Sequence, residues 1–282
     1  MSGKRIVLLF ILMGVLVGII LLLNTPTTSY GSVLNTGETG ISILYAMFGP
    51  EIATDLGEIE GAWSNSTVAI LVSDKPLSKD TYVKISNLAE KGGMVIYAGD
   101  YDSISVFLKE VGLDDAVVAE RIYDPIVNSG GDKRRVIAIS SYGTSLVLEP
   151  SYYFNPHHSK LMWVANSSQY SFVDTNGNGF YDIGEPIGSY VVVALIRIGK
   201  GGVLLISDPG VFTNKHVWEN YAFLRNITSS ASKIVIIQTP DALENNIDYL
   251  KISLHKYGVN RLLPLIIALI IVIGVWYAME GE

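Results

Sequence analysis

The chain has 282 residues, of which 49% are hydrophobic and only 17% charged, and its formal net charge is −7. In soluble proteins about a quarter of the residues are charged, so the low charged fraction of this chain predicts contact with lipid. The acidic balance argues against a nucleic-acid partner. The absence of cysteine excludes disulfides, thiolate metal sites and every mechanism that needs a cysteine nucleophile.

Each end of the chain contains eighteen residues without a charge, at 6–23 and 262–279. A helix of that length covers about 27 Å, close to the hydrocarbon thickness of a bilayer. We therefore expect one transmembrane helix at each end. A cleaved signal peptide at 6–23 and a buried core helix at 262–279 are the alternatives.

Lys4 and Arg5 precede the first apolar segment, which predicts cytoplasmic termini and an extracytoplasmic main domain in the cell membrane, in contact with lipid. Basic residues beside the second segment oppose this orientation. Three N-x-[ST] sequences favour an outside location and are possible glycosylation sites, at Asn65, Asn166 and Asn226.

Between the apolar ends we expect a tether over 24–39 and one α/β domain over 40–250. Four nearly continuous apolar runs predict parallel strands buried on both faces, at 68–72, 94–98, 203–206 and 234–237. Helices are predicted from Ser78 to about Lys91, over 103–110 and over about 215–227. Residues 120–190 are predicted to form a β-rich elaboration, and 191–198 pairs with 203–207 as a hairpin.

The segment 174–185 matches the pattern D-x-[DN]-x-[DN]-G-x5-E of calcium loops. Oxygen atoms from six positions are the expected ligands of a structural calcium ion: Asp174, Asn176, Asn178, Phe180 (through its carbonyl), Asp182 and Glu185. The loop also resembles those of EF-hand and dockerin modules. The alternative is an Asn-Gly-rich turn without metal.

Three predicted strands are followed by an aspartate, namely Asp74, Asp100 and Asp208. Carboxyl ends of parallel strands line the ligand crevice of open α/β sheets, so these carboxylates are candidates for one site. Asp100 and Asp208 also stand where a helix cap belongs, which is the simpler interpretation. No nucleophile and base pattern is evident, and we predict no catalytic residue.

The order of these segments resembles a family of prokaryotic membrane proteins, the domain-of-unknown-function family numbered 4350. The resemblance is carried by the run from Gly199 to Asn214 and by Asn220 in the next predicted helix. The family's motif residues in this chain, which have no assigned role, are Asp208, Pro209, Phe212, Thr213, Asn214 and Asn220.

The resemblance implies a flavodoxin-like sandwich similar to class I glutamine amidotransferases, without catalysis, together with a partner complex of membrane proteins or AAA ATPases. The calcium loop and the second apolar segment are additions to the family pattern. We therefore expect a membrane-anchored binding or assembly protein.

Two other functions stay open. One is a hydrolase of cell-surface glycan or peptide that uses two carboxylates among Asp74, Asp100, Asp124 and Asp208. The other is a sensor that responds to calcium, which a single loop makes a weaker hypothesis.

Overall fold

A computed structural model describes residues 25–258, together with residues 11, 13–15, 17, 18 and 21. Its helices are α1 Ser42–Phe48, α2 Leu56–Glu60, α3 Lys79–Lys91, α4 Tyr101–Glu110, α5 Tyr221–Thr228 and α6 Asn246–Lys256, with a short 3-10 helix at Pro209–Phe212. Its strands are β1 Glu51–Ala53, β2 Thr67–Ser73, β3 Met94–Gly99, β4 Val117–Val118, β5 Arg121–Tyr123, β6 Val136–Ser140, β7 Ser145–Leu148, β8 Tyr153–Phe154, β9 Leu161–Asn166, β10 Phe172–Asp174, β11 Val191–Ile198, β12 Gly201–Ile206 and β13 Lys233–Ile237.

Eleven of the described strands form one mixed sheet. Its first part is parallel, in the order β1-β13-β2-β3-β12. From β12 onward the sheet is antiparallel, through β11, β9, β6 and β7. The remaining strands, β5 and β10, pair with each other. An α/β fold with a buried parallel sheet is therefore observed.

Both faces of the parallel sheet are covered, which explains the continuous apolar runs. Every residue of β2 and β12 is buried. One face packs against Tyr82, Ile85 and Leu88 of α3 and against the apolar side of α4. The other face packs against α1, α5 and α6. Burial on both faces favours apolar side chains at consecutive positions instead of alternating ones.

Local signals set the ends of several elements. Ser78 caps α3 by accepting a hydrogen bond from the backbone N–H of Thr81 at 3.2 Å. Gly199 (φ +56°) provides the left-handed residue in the tight turn between β11 and β12. The predicted helix over 215–227 is shorter in the structure, because residues 215–220 form turns and α5 begins only at Tyr221.

The prediction of two transmembrane helices is not supported by the structure. In the described part of the chain no helix is both long and apolar enough to cross a membrane. About 20 apolar residues are needed to span the hydrocarbon core, whereas α3 has 13 residues and exposes a polar face. The segment 262–279 and most of 6–23 lie outside the described residues. The predicted location in the cell membrane, with cytoplasmic termini and an extracytoplasmic domain, depended on these two helices and is therefore not supported either.

Residues 25–40, of which 25–39 are predicted as a tether, fold back onto the domain. Ser29, Ser32 and Asn35 are buried, and the Ser29 hydroxyl donates to the buried carboxylate of Asp248 at 2.6 Å. The side chain of Gln238 bonds to the backbone of Gly31 and of Val33, at 2.9 and 3.1 Å. This segment therefore belongs to the folded unit.

Candidate functional site

The three strand-end aspartates stand at one edge of the parallel sheet. Asp74 follows β2, Asp100 follows β3 and Asp208 lies two residues after β12, and these strands are neighbours in the sheet. Adjacent strands lie roughly 4.8 Å apart, so the three strand ends span on the order of 10 Å. We call this region the carboxyl-edge crevice, defined by Tyr30, Asp74, Asp100, Glu149 and Asp208.

Two of the aspartates have structural partners. Asp100 caps α4 by accepting a hydrogen bond from the N–H of Ser103 at 2.8 Å. Asp208 is buried and accepts from the N–H groups of Gly210 and Glu149, at 2.7 and 2.8 Å. Burial raises the pKa of the Asp208 carboxyl, and these two N–H groups act in the opposite direction. The capping interpretation holds for both residues.

Asp74 is exposed, and the N–H group that acts on its carboxyl, lowering the pKa, is its own. Partial burial of its carboxyl raises the pKa, and the negative charges of Glu244 and Asp100 raise it further. The adjacent cation, Lys75, donates to the backbone carbonyl of Leu243 at 2.6 Å. The Asp74 carboxylate is therefore available to a ligand.

Tyr30 and Glu149 are the members of the crevice that the sequence did not identify. Burial raises the pKa of the Tyr30 hydroxyl, and the negative charges of Asp208, Asp74, Asp100 and Glu149 raise it further. Tyr30 lies in the 25–40 segment, whose Thr, Ser, Asn and Gly residues predicted only a flexible connection. No local pattern could have located it, because its neighbours come from distant parts of the chain.

The segment after β7 forms the other wall of the crevice. Glu149 is exposed, while its backbone N–H bonds to Asp208. The buried Tyr152 hydroxyl contacts the carbonyl oxygens of Gly99 and Ile206 at 3.1 and 3.2 Å, and so links this segment to the ends of β3 and β12. Tyr101 stacks edge-on against Tyr152, with ring centroids 6.0 Å apart. Tyr152 thus ties the segment after β7 to two of the strand ends at the carboxyl edge of the sheet.

The motif residues that carried the family resemblance hold the structure together. Asn214 donates to the carbonyls of Asn35 and Gly37, at 3.0 and 2.7 Å, and accepts from the N–H of Ile43 at 2.9 Å. Asn220 binds the N–H and the carbonyl of Val147, at 2.7 and 2.9 Å. Pro209 starts the 3-10 helix, and Phe212 and Thr213 are buried beside it.

The predicted calcium-binding loop is closed by its own hydrogen bonds. The Asp174 carboxylate accepts from the N–H groups of Gly177, Asn178 and Gly179, at 2.8, 3.2 and 2.8 Å. Glu185 accepts from the N–H groups of Thr175 and Asp182, at 2.9 and 3.0 Å.

Amide nitrogens of this loop, not oxygens, face the Asp182 carboxylate, since Asn176 and Asn178 both donate to it at 2.6 Å. Phe180 is exposed. Within the described residues no group of three or more His, Cys, Asp and Glu side chains is placed to hold a metal ion. The predicted calcium-binding group is therefore not found.

The remaining candidates lie away from the crevice. Asp124 is buried and accepts from the hydroxyls of Ser168 and Ser171, at 2.5 and 3.0 Å, which gives it a structural role in the β-rich elaboration. Asn65 is exposed, whereas Asn166 and Asn226 are half-buried. Glycosylation of these three asparagines stays a prediction.

Comparison with known sequences gives one family. The family described as "Domain of unknown function (DUF4350)" matches residues 56–228, which include the sheet edge with Asp74, Asp100 and Asp208. Comparison with curated proteins gives no match.

Three solved structures are distantly similar to this chain. The exo-beta-1,4-mannosidase Op5Man5 from Opitutaceae bacterium strain TAV5 is 11% identical over 57% of this chain and 24% of its own, with a TM-score of 0.33. A beta-galactosidase from Bacillus circulans sp. alkalophilus is 12% identical over 57% and 23%, with a TM-score of 0.30. The beta-galactosidase of Rahnella sp. R3 is 10% identical over 58% and 23%, with a TM-score of 0.32. The chain thus spans about a quarter of each of these structures.

Proposed function

The chain belongs to the family described as Domain of unknown function (DUF4350), and we propose that it is a non-catalytic binding protein whose carboxyl-edge crevice takes a positively charged group. The observation that carries the proposal is the position of Asp74, Asp100 and Asp208 at the ends of three neighbouring parallel strands, with the Asp74 side chain exposed. The amidotransferase-like detail of the fold and a partner complex with an AAA ATPase stay predictions.

Charge supports a cationic ligand. Among the described residues, Asp74, Asp100 and Glu149 form no ion pair with Lys or Arg. An ammonium or guanidinium group placed between them would gain charge-assisted hydrogen bonds. A small amine or a Lys or Arg side chain of a protein partner has this chemistry.

The bonding of the crevice residues supports binding without turnover. Asp208 and Asp100 use their carboxylates to hold backbone N–H groups. In residues 25–258 no hydroxyl, imidazole or amine donates a hydrogen bond to the carboxylate of Asp74, Asp100 or Asp208. The lack of cysteine leaves amidotransferase chemistry without its nucleophile.

One observation favours the carboxylate hydrolase as a second candidate. Asp74 and Asp100 follow neighbouring parallel strands, and burial together with the charges of Glu244 and Asp100 raises the pKa of the Asp74 carboxyl, as is needed of a general acid. Turnover of a glycan or peptide by the full chain, abolished by Asp74→Asn with the fold intact, would establish this function in place of the binding proposal.

The proposal is tested by calorimetric titration with agmatine, which carries both an ammonium and a guanidinium group. We expect saturable binding that is weakened about tenfold or more in Asp74→Asn, since a hydrogen bond to a charged group contributes roughly 1.5–3 kcal/mol. Asp114→Asn is the matched control, because Asp114 is exposed and outside the crevice. Equal affinity in both variants would contradict the proposal.

A further inference from the structure

A second cavity lies at the opposite, amino edge of the parallel sheet and has a volume of about 440 Å³. It is bordered by the starts of β2, β3 and β12 and by the end of α5. Cavities that hold small ligands have volumes of about 300–1,000 Å³. This cavity is therefore large enough for a small organic molecule, and it is separated from the carboxyl-edge crevice by the length of the strands.

The inner wall of the cavity is apolar. Val68, Leu204 and Ile227 are almost fully buried in the core and line the cavity together with Met94 and Leu195. An apolar wall favours a ligand that carries a hydrocarbon or aromatic body, because its transfer from water gains about 25 cal/mol for each Å² of apolar surface.

The rim of the cavity is positively charged. Arg197 at the end of β11 and Lys200 in the following turn both line it, and both are exposed. Neither side chain forms an ion pair or a hydrogen bond within the described residues. No Asp or Glu lines the cavity, although the chain carries a net charge of −7. Asn65, Asn226 and Ser229 add uncharged polar groups to the same rim.

We propose that this cavity binds a small organic anion, with its apolar body on the Met94 and Leu204 wall and its carboxylate or phosphate between Arg197 and Lys200. Arg offers a planar fork of donors and Lys a mobile point charge, and the two together suit such an anionic group. The site is independent of the carboxyl-edge crevice, which is proposed to bind a cation at the other edge of the sheet.

The test is calorimetric titration of the full-length chain with octanoate and with its neutral analogue octanamide. We expect octanoate to bind and octanamide to bind at least about tenfold more weakly. The double variant Arg197→Gln, Lys200→Gln should lose at least tenfold in octanoate affinity and leave octanamide affinity unchanged. The matched control is Lys109→Gln, since Lys109 is exposed on α4, away from the cavity.

A second variant tests the apolar wall without changing charge. Ala231→Phe places a ring at the cavity border, where Ala231 is half-buried, and should abolish binding of both probes while the melting temperature stays near that of the parent. The proposal is overturned if octanoate fails to bind the parent protein, if octanamide binds equally well, or if the control loses as much affinity as the double variant.

Discussion

At the residue scale, single polar side chains join parts of the chain that are far apart in sequence. Asn220 is fully buried and bonds to both backbone groups of Val147 and to the carbonyl of Val211. It thereby joins β7, the strand at the end of the sheet order, to the start of α5 by hydrogen bonds. A family motif that offered no chemistry in the sequence has a clear structural use here.

Replacing Asn220 by Ala should lower the free energy of unfolding by about 2–3 kcal/mol, because backbone groups of Val147 and Val211 lose their partner in a buried place. Urea denaturation followed by circular dichroism measures this. Asn87→Ala is the control, since Asn87 is exposed on α3. Equal stability of the two variants would show that water replaces the Asn220 amide.

Asp74 gives a prediction about pH. Its pKa is higher in the folded than in the unfolded chain, because of burial and of the neighbouring charges of Glu244 and Asp100. The folded state therefore binds the proton more tightly, and this group lowers stability as pH rises through the interval above its unfolded pKa of about 3.9.

Asp74→Asn should accordingly melt at a higher temperature than the parent at pH 7, and the difference should shrink as pH falls towards 4. Thermal melts across this pH range measure the effect, with Asp114→Asn as control. A constant difference at all pH values would assign the effect to something other than titration of Asp74.

At the scale of elements, the 25–40 segment is an integral layer of the domain. Gly31 has φ +63°, and a Cβ atom there would lie 2.7 Å from the Val72 carbonyl oxygen. Gly49 has a similar φ of +53° but open space around it. Comparing alanine substitutions at these two glycines therefore separates two contributions to the free energy of unfolding: the left-handed backbone, which both share, and the steric clash, which only Gly31 has.

Gly49→Ala should lower the free energy of unfolding by about 1–2 kcal/mol through the backbone alone, and Gly31→Ala by clearly more. Chemical denaturation of both variants tests this. If Gly31→Ala costs no more than Gly49→Ala, the 25–40 segment is not held against the end of β2.

The 174–185 loop is an element whose order depends on one carboxylate. Glu185→Ala should remove the acceptor of the Thr175 and Asp182 N–H groups, so the amide hydrogens of these two residues should exchange faster with solvent. Limited proteolysis should cut the loop sooner than in the parent. Glu38→Ala, at an exposed position, is the control. Unchanged exchange at both amides would contradict this account of the loop.

At the scale of the whole molecule, the sequence predicted the parallel sheet well. Strands buried on both faces are continuously apolar, and such a run can be recognised without knowing which strands pair with it. The ends of α3 and the β11–β12 turn followed from Ser78 and from the glycines. The layer formed by residues 25–40 was missed, since its bonds reach as far as from Ser29 to Asp248, 219 residues away. Pairings of that range leave no local pattern.

The candidate site divides in the same way. The strand-end aspartates could be recognised, because position in a parallel sheet follows from order along the chain. Tyr30 and Glu149 complete the crevice from outside the parallel strands, so only the folded structure brings them in. In the 174–185 loop the described side chains form no metal-holding group, because the Asp174 and Glu185 carboxylates accept N–H groups of the loop itself, and a calcium ion there stays a prediction.

Amide hydrogen exchange of the full-length chain, with and without saturating agmatine, tests whether the carboxyl-edge crevice binds a cation. We expect slower exchange at residues 73–75, 100–103 and 149–152, which surround the carboxyl-edge crevice, and no change at the cavity of Arg197 and Lys200. Protection elsewhere in the chain, with exchange at the crevice unchanged, would contradict the proposed binding.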